Sequence, residues 1–195
     1  MKINPTYQDS VFVNCPFYKE YDAFLKAIVY TVYSCGFVPR SAMEEDDASN
    51  TRIQKIELLI LNCRFGIHDI SRTELDKESQ LPRFNMPFEL GIFWGAKKFG
   101  NKQQKEKVAL VFEKLKYSYQ KYLSDINGVD IKAHNNDIEK VITQIRNWLF
   151  TTTSKNTIPL PSQIIRSYKY FIYNKLPVSL ALHHTDINDL TFNDL

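Results

Sequence analysis

The chain has 195 residues, of which 44% are hydrophobic and 24% charged, and this length and composition are typical of one globular domain. Its 25 basic and 22 acidic residues leave a net charge of +3, which is too mild to support nucleic-acid binding. The six glycines are scattered and form neither G-x-G-x-x-G nor G-x-x-x-x-G-K-S/T, which excludes the usual phosphate-binding loops. Any nucleotide must therefore be bound by another route.

The cysteines and the apolar runs indicate the cellular compartment of the protein. Cys15, Cys35 and Cys63 are odd in number and widely spaced, which predicts buried thiols rather than disulfides or a zinc site. Residues 1–10 contain no apolar run typical of a secretory signal, and no run in the chain approaches the length that spans a bilayer. We expect a cytoplasmic protein that has no membrane partner.

The first part of the chain alternates between strand and helix patterns. Residues 11–17 form a short apolar run interrupted by proline and predict a first strand. Residues 22–35 carry apolar side chains at helical spacing and are followed by a glycine, which predicts a helix. Residues 37–42 predict a short edge strand, because Pro39 cannot donate a hydrogen bond within a sheet.

A second helix and a third strand follow. After an acidic loop at residues 44–47, Ser49 or Asn50 is expected to cap the helix. The apolar face of this helix comprises Ile53, Ile56, Leu59 and Ile60. Residues 65–71 predict the third strand. The four consecutive carboxylates at residues 44–47 have no histidine near them in the loop, which is typical of a solvated segment. No metal site is therefore predicted at residues 44–47.

The alternation continues to residue 150. Residues 72–83 predict a polar loop. Residues 88–99 predict a third helix, with Pro87 just before them at a first-turn position that favours proline. Residues 107–112 predict the fourth strand, residues 117–124 a short helix and residues 129–133 the fifth strand. A strongly amphipathic helix closes the series, with Ile138, Val141, Ile142, Ile145, Trp148 and Leu149 on its apolar face.

This order predicts an α/β protein with a five-stranded, mainly parallel, flavodoxin-like (doubly wound) sheet and helices on both faces. Residues 151–154, followed by two prolines, break the pattern and predict a linker. We therefore expect an α/β domain at residues 1–152 and a linker with a small helical C-terminal appendage at residues 153–195. The appendage is too short to be stable alone, so it is expected to dock on the main domain or on a partner chain.

Ligands of open parallel sheets bind beyond the carboxyl ends of the strands, where the strand order reverses. Polar and aromatic residues follow the first and third strands and precede the third helix. Two aromatic rings among them are expected to stack on a base, and two arginines to anchor a phosphate or carboxylate. The predicted substrate-binding residues are Asn14, Pro16, Phe17, Tyr18, Ser71, Arg72, Arg83 and Asn85.

Glu89 and Asp69 are the candidate catalytic residues. Glu89 lies in the predicted first turn of an otherwise apolar helix, where it either complements the helix dipole or is kept ionised beside a ligand. An ionised carboxylate in a dry pocket suits attack on a sugar carbon, or stabilisation of its positive charge. Asp69 either caps the next loop or holds a ribose hydroxyl or a base nitrogen. His68 alternates with it and is expected to face the other side of the sheet.

A resemblance to a known family supports the sugar chemistry. The segment Phe-Glu-Leu-Gly-Ile-Phe-Trp-Gly-Ala-Lys-Lys-Phe-Gly at residues 88–100, with the strand after it, resembles the E-L-G-x-A-x-x-x-x-K segment of nucleoside 2-deoxyribosyltransferases. TIR-like NAD-cleaving domains share the broad arrangement. The resemblance implies that Glu89 is the nucleophile, that Asp69 helps to bind or protonate the base, and that residues 11–17 line the substrate. It also implies a link to bacterial defence against phage, with which some similar proteins are associated.

The sequence departs from that family in two places, and the first is the tail from Ser162 onward, which has no counterpart in the family. The second is that the D-x-G-T-x-x-E spacing is absent, and residues 72–85 form a different and longer loop. Base recognition is therefore expected to differ.

Two functions follow from these observations. The first is an N-glycosidase or N-(deoxy)ribosyltransferase that acts on a nucleotide such as NAD, or on a nucleoside, without a metal or cofactor. The second is a non-catalytic nucleotide-sensing or protein-interaction module of the same fold. The aromatic tail residues Tyr168, Tyr170, Phe171 and Tyr173 predict either docking on the chain's own domain or a homo-oligomer interface. Gly91 and Gly95 predict close packing of the Glu89 helix on the sheet.

Overall fold

Five strands form one parallel sheet. The computed structural model describes residues 5–44, 49–72, 80 and 82–194. The strands are β1 (Ser10–Asn14), β2 (Val38–Arg40), β3 (Phe65–Asp69), β4 (Val108–Glu113) and β5 (Lys132–Ala133). They lie in the sheet in the order β2-β1-β3-β4-β5. The predicted flavodoxin-like α/β fold is confirmed, and every strand pair of the described sheet is parallel.

Helices cover both faces of the sheet. They are α1 (Asp22–Ser34), α2 (Arg52–Asn62), α3 (Asn85–Phe99), α4 (Ile138–Thr153), α5 (Pro161–Tyr170) and α6 (Leu176–Leu182). Helices α1 and α4 pack against each other on one face, together with alternate strand side chains such as Val11 and Ile67. Helices α2 and α3 pack on the other face, where Phe12 lies. The alternation of side chains along each strand thus separates two core layers.

One glycine is required for the α3 layer. A Cβ atom on Gly66 of β3 would lie 2.6 Å from His68 Nε2 and 2.8 Å from the ring of Phe93. A larger residue at this position would therefore push α3 off the sheet. Gly91 and Gly95 differ from the prediction, because a Cβ atom on either would meet nothing within 4 Å. They face outward, and the expected close packing through them is wrong.

Several element boundaries also differ from the prediction. Thr51, rather than Ser49 or Asn50, caps α2, and its backbone N–H donates to Gln54 Oε1 at 2.9 Å in a capping box. Two 3₁₀ turns, at Ser118–Lys121 and Ser124–Ile126, replace the predicted helix at residues 117–124.

At the far end of the chain, three residues of the predicted linker are helical. Helix α4 continues to Thr153 and ends where Ser154 adopts a left-handed conformation, with φ 52°.

The start of the tail belongs to the main core. Ile164 and Tyr168 of α5 are buried in the α1 and α4 layer, and Tyr168 Oη donates to the carbonyl of Ala23 at 3.2 Å. Arg146 of α4 donates from Nε to the carbonyl of Pro159 at 2.7 Å, which fixes the preceding connection. The sequence left open whether the tail docks on the main domain or on a partner chain. Helix α5 docks on the main domain.

The rest of the tail is largely exposed. A π-helical segment at Phe171–Lys175 leads into α6, which has no buried residue. Near the C-terminus, Phe192 returns to the core and is buried there.

The core also contains a buried lysine and three buried thiols. The Lys107 ammonium is fully buried and donates to the carbonyls of Ile60 and Cys63, which caps the end of α2. Burial lowers the pKa of Lys107 to about 8. All three cysteines are free and buried, which confirms that prediction. Across the described ranges, no helix combines the length and the apolar character needed to cross a membrane.

Candidate active site

A cavity of about 210 Å³ lies where the strand order reverses, beyond the carboxyl ends of β1 and β3. The chain reaches it from four places: the end of β1, the start of α2, the loop after β3 and the start of α3. The predicted residues that line this cavity are Asn14, Pro16, Phe17, Arg72, Arg83, Asn85 and Glu89. We call it the Glu89 cavity.

Glu89 lies beyond the first turn of α3 rather than at the end of the helix. Helix α3 begins at Asn85 and has no acidic residue in its first turn, so the predicted first-turn position of Glu89 is wrong. Glu89 is 5% exposed, and no described residue hydrogen-bonds its carboxyl group. Burial raises the pKa of Glu89 to about 7, and the Arg52 guanidinium acts in the opposite direction.

Asn14 is fixed beside Glu89 by two hydrogen bonds from its amide nitrogen. Nδ2 donates to the carbonyl of Met86 at 2.9 Å and lies 3.0 Å from His68 Nδ1. Burial, followed by the charge of Lys107, lowers the pKa of His68 to about 3, so the neutral imidazole accepts this bond. Asn14 Oδ1 is buried and has no partner in the described part of the chain. A buried acceptor without a partner is uncommon and points to a ligand.

Three arginines give the Glu89 cavity its positive charge. The Arg72 guanidinium lies over the ring of Tyr18, 4.4 Å from its centroid, and that of Arg52 lies 5.9 Å from the ring centroid of Phe17. Arg83 precedes α3. Sequence reasoning missed Arg52, although the signal was present. A helix that follows a parallel strand begins at the carboxyl edge of the sheet, so the first residue of α2 lies there.

Asp69 lies away from this cavity, on the α1 face of the sheet. Tyr21 Oη donates to Asp69 Oδ2, and His134 Nε2 lies 3.4 Å from the same oxygen. The backbone N–H of Ser71 donates to Asp69 Oδ1 at 2.8 Å. His68 faces the α3 layer, as the alternation along β3 requires. The structure therefore does not bring the two candidate carboxylates into one cavity.

A second cavity, of about 270 Å³, lies above the Asp69 cluster. The predicted residues Tyr18 and Ser71 line it, together with Tyr21 and His134. His134 Nδ1 accepts from the backbone N–H of Asn136 at 3.0 Å, which leaves the ring proton on Nε2, facing Asp69. Burial lowers the pKa of His134, and the negative charge of Asp69 opposes that effect.

The sequence contains no local signal for this cluster. Tyr21 precedes α1 and His134 follows the two-residue strand β5, so both are far from Asp69 along the chain.

Part of the predicted surroundings lies outside the described residues. This applies to residues 45–47 of the acidic run and to residues 73–79 and 81 of the loop before α3. Among the residues that are described, no group of three His, Cys, Asp or Glu side chains is arranged to hold a metal ion. Comparisons with protein-family models, with curated proteins and with solved structures found no match to this chain.

Proposed function

We propose that the protein breaks the N-glycosidic bond of a nucleotide or nucleoside, with Glu89 acting at the anomeric carbon. One observation carries this proposal: a carboxyl that titrates near neutral pH is buried in the cavity where the strand order reverses. A purely structural glutamate near a helix start would cap the helix or pair with a neighbour. Glu89 lies too deep in α3 to cap it, and no described residue hydrogen-bonds it.

The chemistry follows from the charge that develops on the sugar. When the bond from the anomeric carbon to the base nitrogen breaks, its electron pair leaves with the base and the sugar carbon becomes positive. The ionised Glu89 carboxylate stabilises that charge, or donates an electron pair to the carbon and forms a glycosyl ester. Water then releases the sugar in a hydrolase, and a second base releases it in a transferase.

In this proposal, Asp69 is a positioning residue. Its carboxylate accepts from the N–H of Ser71, and the next residue is Arg72, whose side chain lines the Glu89 cavity. This hydrogen bond holds the backbone of Ser71 on the α1 face of the sheet. The side chain of the next residue, Arg72, acts in the Glu89 cavity on the other face. The Tyr21 hydroxyl donates to the Asp69 carboxylate in turn, and the His134 ring lies beside it, with Nε2 3.4 Å from Oδ2.

The test is release of free base from substrates that share this bond. Purified protein is incubated with deoxynucleosides, with deoxynucleoside 5′-monophosphates and with NAD, and the base is measured by chromatography. We expect release by the wild type and by Glu57→Gln, a control at an exposed glutamate on α2, and its loss in Glu89→Gln. No release from any substrate, or equal release after Glu89→Gln, would contradict the proposal.

A second candidate function, a non-catalytic nucleotide-sensing or protein-interaction module, is favoured by the exposed tail. Tyr173 and Leu182 are 75% and 73% exposed, and a surface of this kind is typical of an interface between chains. Light scattering on the wild type and on the double variant Tyr173→Ser, Leu182→Ser tests it. A homo-oligomer that becomes monomeric supports the interface, and an unchanged mass speaks against it.

A further inference from the structure

We infer that His68 is a positioning residue: it holds the side-chain amide of Asn14 so that Oδ1 accepts a hydrogen bond from the ligand of the Glu89 cavity. The described lining of this cavity includes Asn14 but not His68, so His68 acts through its neighbour. The inference rests on the proposed function only in its choice of donor, a hydroxyl group of the sugar. It adds a specificity-determining pair to the carboxyl on which the proposed function depends.

The orientation of the Asn14 amide follows from the backbone carbonyl of Met86. A carbonyl oxygen only accepts hydrogen bonds, so the Asn14 atom that lies 2.9 Å from it is the nitrogen, Nδ2. Nδ2 also lies 3.0 Å from His68 Nδ1, and because Nδ2 only donates, Nδ1 is the acceptor. The His68 ring therefore carries its proton on Nε2. Both hydrogens of the amide are used, and Oδ1 is left for another donor.

The His68 ring is held in one position and in its neutral form. It is fully buried, and the rings of Phe12 and Phe93 lie edge-on to it, with centroids 5.8 Å and 4.9 Å away. A Cβ atom on Gly66 would lie 2.6 Å from Nε2, so the glycine leaves the space that the ring occupies. Burial and then the positive charge of Lys107 lower the pKa of His68 to about 3, so Nδ1 remains an acceptor at neutral pH.

A purely structural pair of buried polar side chains would satisfy its own hydrogen bonds. Within the described residues, Asn14 Oδ1 is buried and has no partner, and the whole residue is only 1% exposed. An apolar side chain would fill the same space without the cost of a buried, unpaired acceptor. The arrangement becomes favourable when a ligand donates to Oδ1, and the hydroxyl groups of a sugar beside Glu89 are donors of the required kind.

The state of the His68 ring tests the inference without any ligand. Nitrogen NMR of the isotope-labelled, full-length protein at neutral pH reports the protonation of each ring nitrogen. We expect a neutral ring with its proton on Nε2 in the wild type. The Nδ1 resonance should move in Asn14→Ala, where the hydrogen bond from the amide is lost. A charged ring, a proton on Nδ1, or an Nδ1 resonance that Asn14→Ala leaves in place would overturn the inference.

Binding to the full-length Glu89→Gln variant measures the effect on the ligand, because turnover does not interfere there. The probes for calorimetry are the four deoxynucleosides and their analogues that lack either the 3′- or the 5′-hydroxyl group. We expect a deoxynucleoside to bind at least about tenfold more tightly than one of its two analogues. The analogue loses affinity because it leaves Asn14 Oδ1 unpaired in the complex.

Variants in the same background show whether His68 acts through Asn14. Asn14→Ala and His68→Leu should each abolish the preference for the hydroxyl group, and the double variant should bind like either single variant. His68→Asn offers an acceptor near the position of Nδ1 and should retain part of the preference. Ile60→Val, a buried substitution in the core layer of Phe12 and Phe93, is the packing control and should retain all of it.

The outcomes separate this inference from the proposed function. A preference that survives His68→Leu, additive losses in the double variant, no preference in the parent protein, or no binding of any probe would overturn the inference. If His68→Leu does not fold, the NMR measurement on the wild type and Asn14→Ala decides. If the preference depends on both residues but the wild type releases no base, the proposed function fails and the inference stands. If base is released and the preference survives His68→Leu, the inference fails and the proposed function stands.

Discussion

Arg52 and Glu89 line the same cavity with opposite charges, and the Arg52 guanidinium lowers the pKa that burial has raised on the Glu89 carboxyl. Burial is the larger effect, so the pKa of the group is about 7 instead of its ordinary value of 4.5. A poorly solvated carboxyl poised near neutral pH is characteristic of a functional group rather than of a structural one. The pH dependence of catalysis and of stability should therefore follow the ionisation of Glu89.

The first prediction concerns the pH dependence of catalysis. The value of kcat/KM for base release should rise with pH through about 7, since the ionised carboxylate is the active form. Arg52→Gln removes the charge that lowers the pKa of Glu89, so the midpoint should move to higher pH. Profiles are recorded for wild type, Arg52→Gln and the control Arg166→Gln. An Arg52→Gln midpoint identical to that of the wild type would show that Arg52 does not act on Glu89.

The second prediction concerns the stability of the Glu89→Gln variant. Because the folded-state pKa of Glu89 is raised, the neutral carboxyl favours folding. Its contribution is complete below pH about 4.5 and is lost as pH rises through about 7. A neutral glutamine should therefore raise the melting temperature over the wild type more at pH 8 than at pH 5. Glu57→Gln, at an exposed site, should show no such difference, and an equal effect of Glu89→Gln at both pH values would contradict the argument.

The third prediction concerns the tail. Ile164 is 2% exposed in the core shared with α1 and α4, whereas Val178 of α6 is 59% exposed. Ile164→Ala should lower the free energy of unfolding by about 2–5 kcal/mol, through lost burial and the cavity that remains. Val178→Ala should change it by less than about 0.5 kcal/mol. Urea denaturation measures both, and equal small effects would mean that α5 is not part of the core.

The fourth prediction concerns the Asp69 cluster. Asp69→Ala leaves the buried Tyr21 hydroxyl without its acceptor, which should cost about 1–3 kcal/mol of stability. Because Asp69 opposes the effect of burial, the pKa of His134 should fall further, which NMR titration of its ring protons measures. Tyr21→Phe keeps Asp69 in place and should leave the pKa of His134 closer to its wild-type value. An unchanged His134 pKa in Asp69→Ala would contradict the contact.

Much of the Glu89 cavity follows from simple rules applied to the sequence. Alternating strands and helices predict the parallel sheet, and the carboxyl ends of its strands bring Asn14, Phe17 and Arg72 to one edge. A helix after β3 must begin at that same edge, which places Glu89 there as well. These inferences need only the order of the elements and the direction of parallel strands.

The remaining features depend on contacts that sequence periodicity does not encode. Alternation separates His68 from Asp69, but which of them faces α3 depends on the side of the sheet that the crossover takes. His134 reaches Asp69 only because β5 pairs beside β4. The orientation of Gly95 was likewise not predictable, because a glycine in a helical sequence does not indicate whether it faces the sheet or the surface.

The most direct test of the central claim is single-turnover release of base from a bound nucleotide by the wild type and by Glu89→Gln at pH 7.5, with the dissociation constant of each measured separately. We predict that the substitution slows release at least about a thousandfold and leaves the dissociation constant within about threefold. Release at an equal rate by both proteins would contradict the assignment of Glu89 to the sugar carbon.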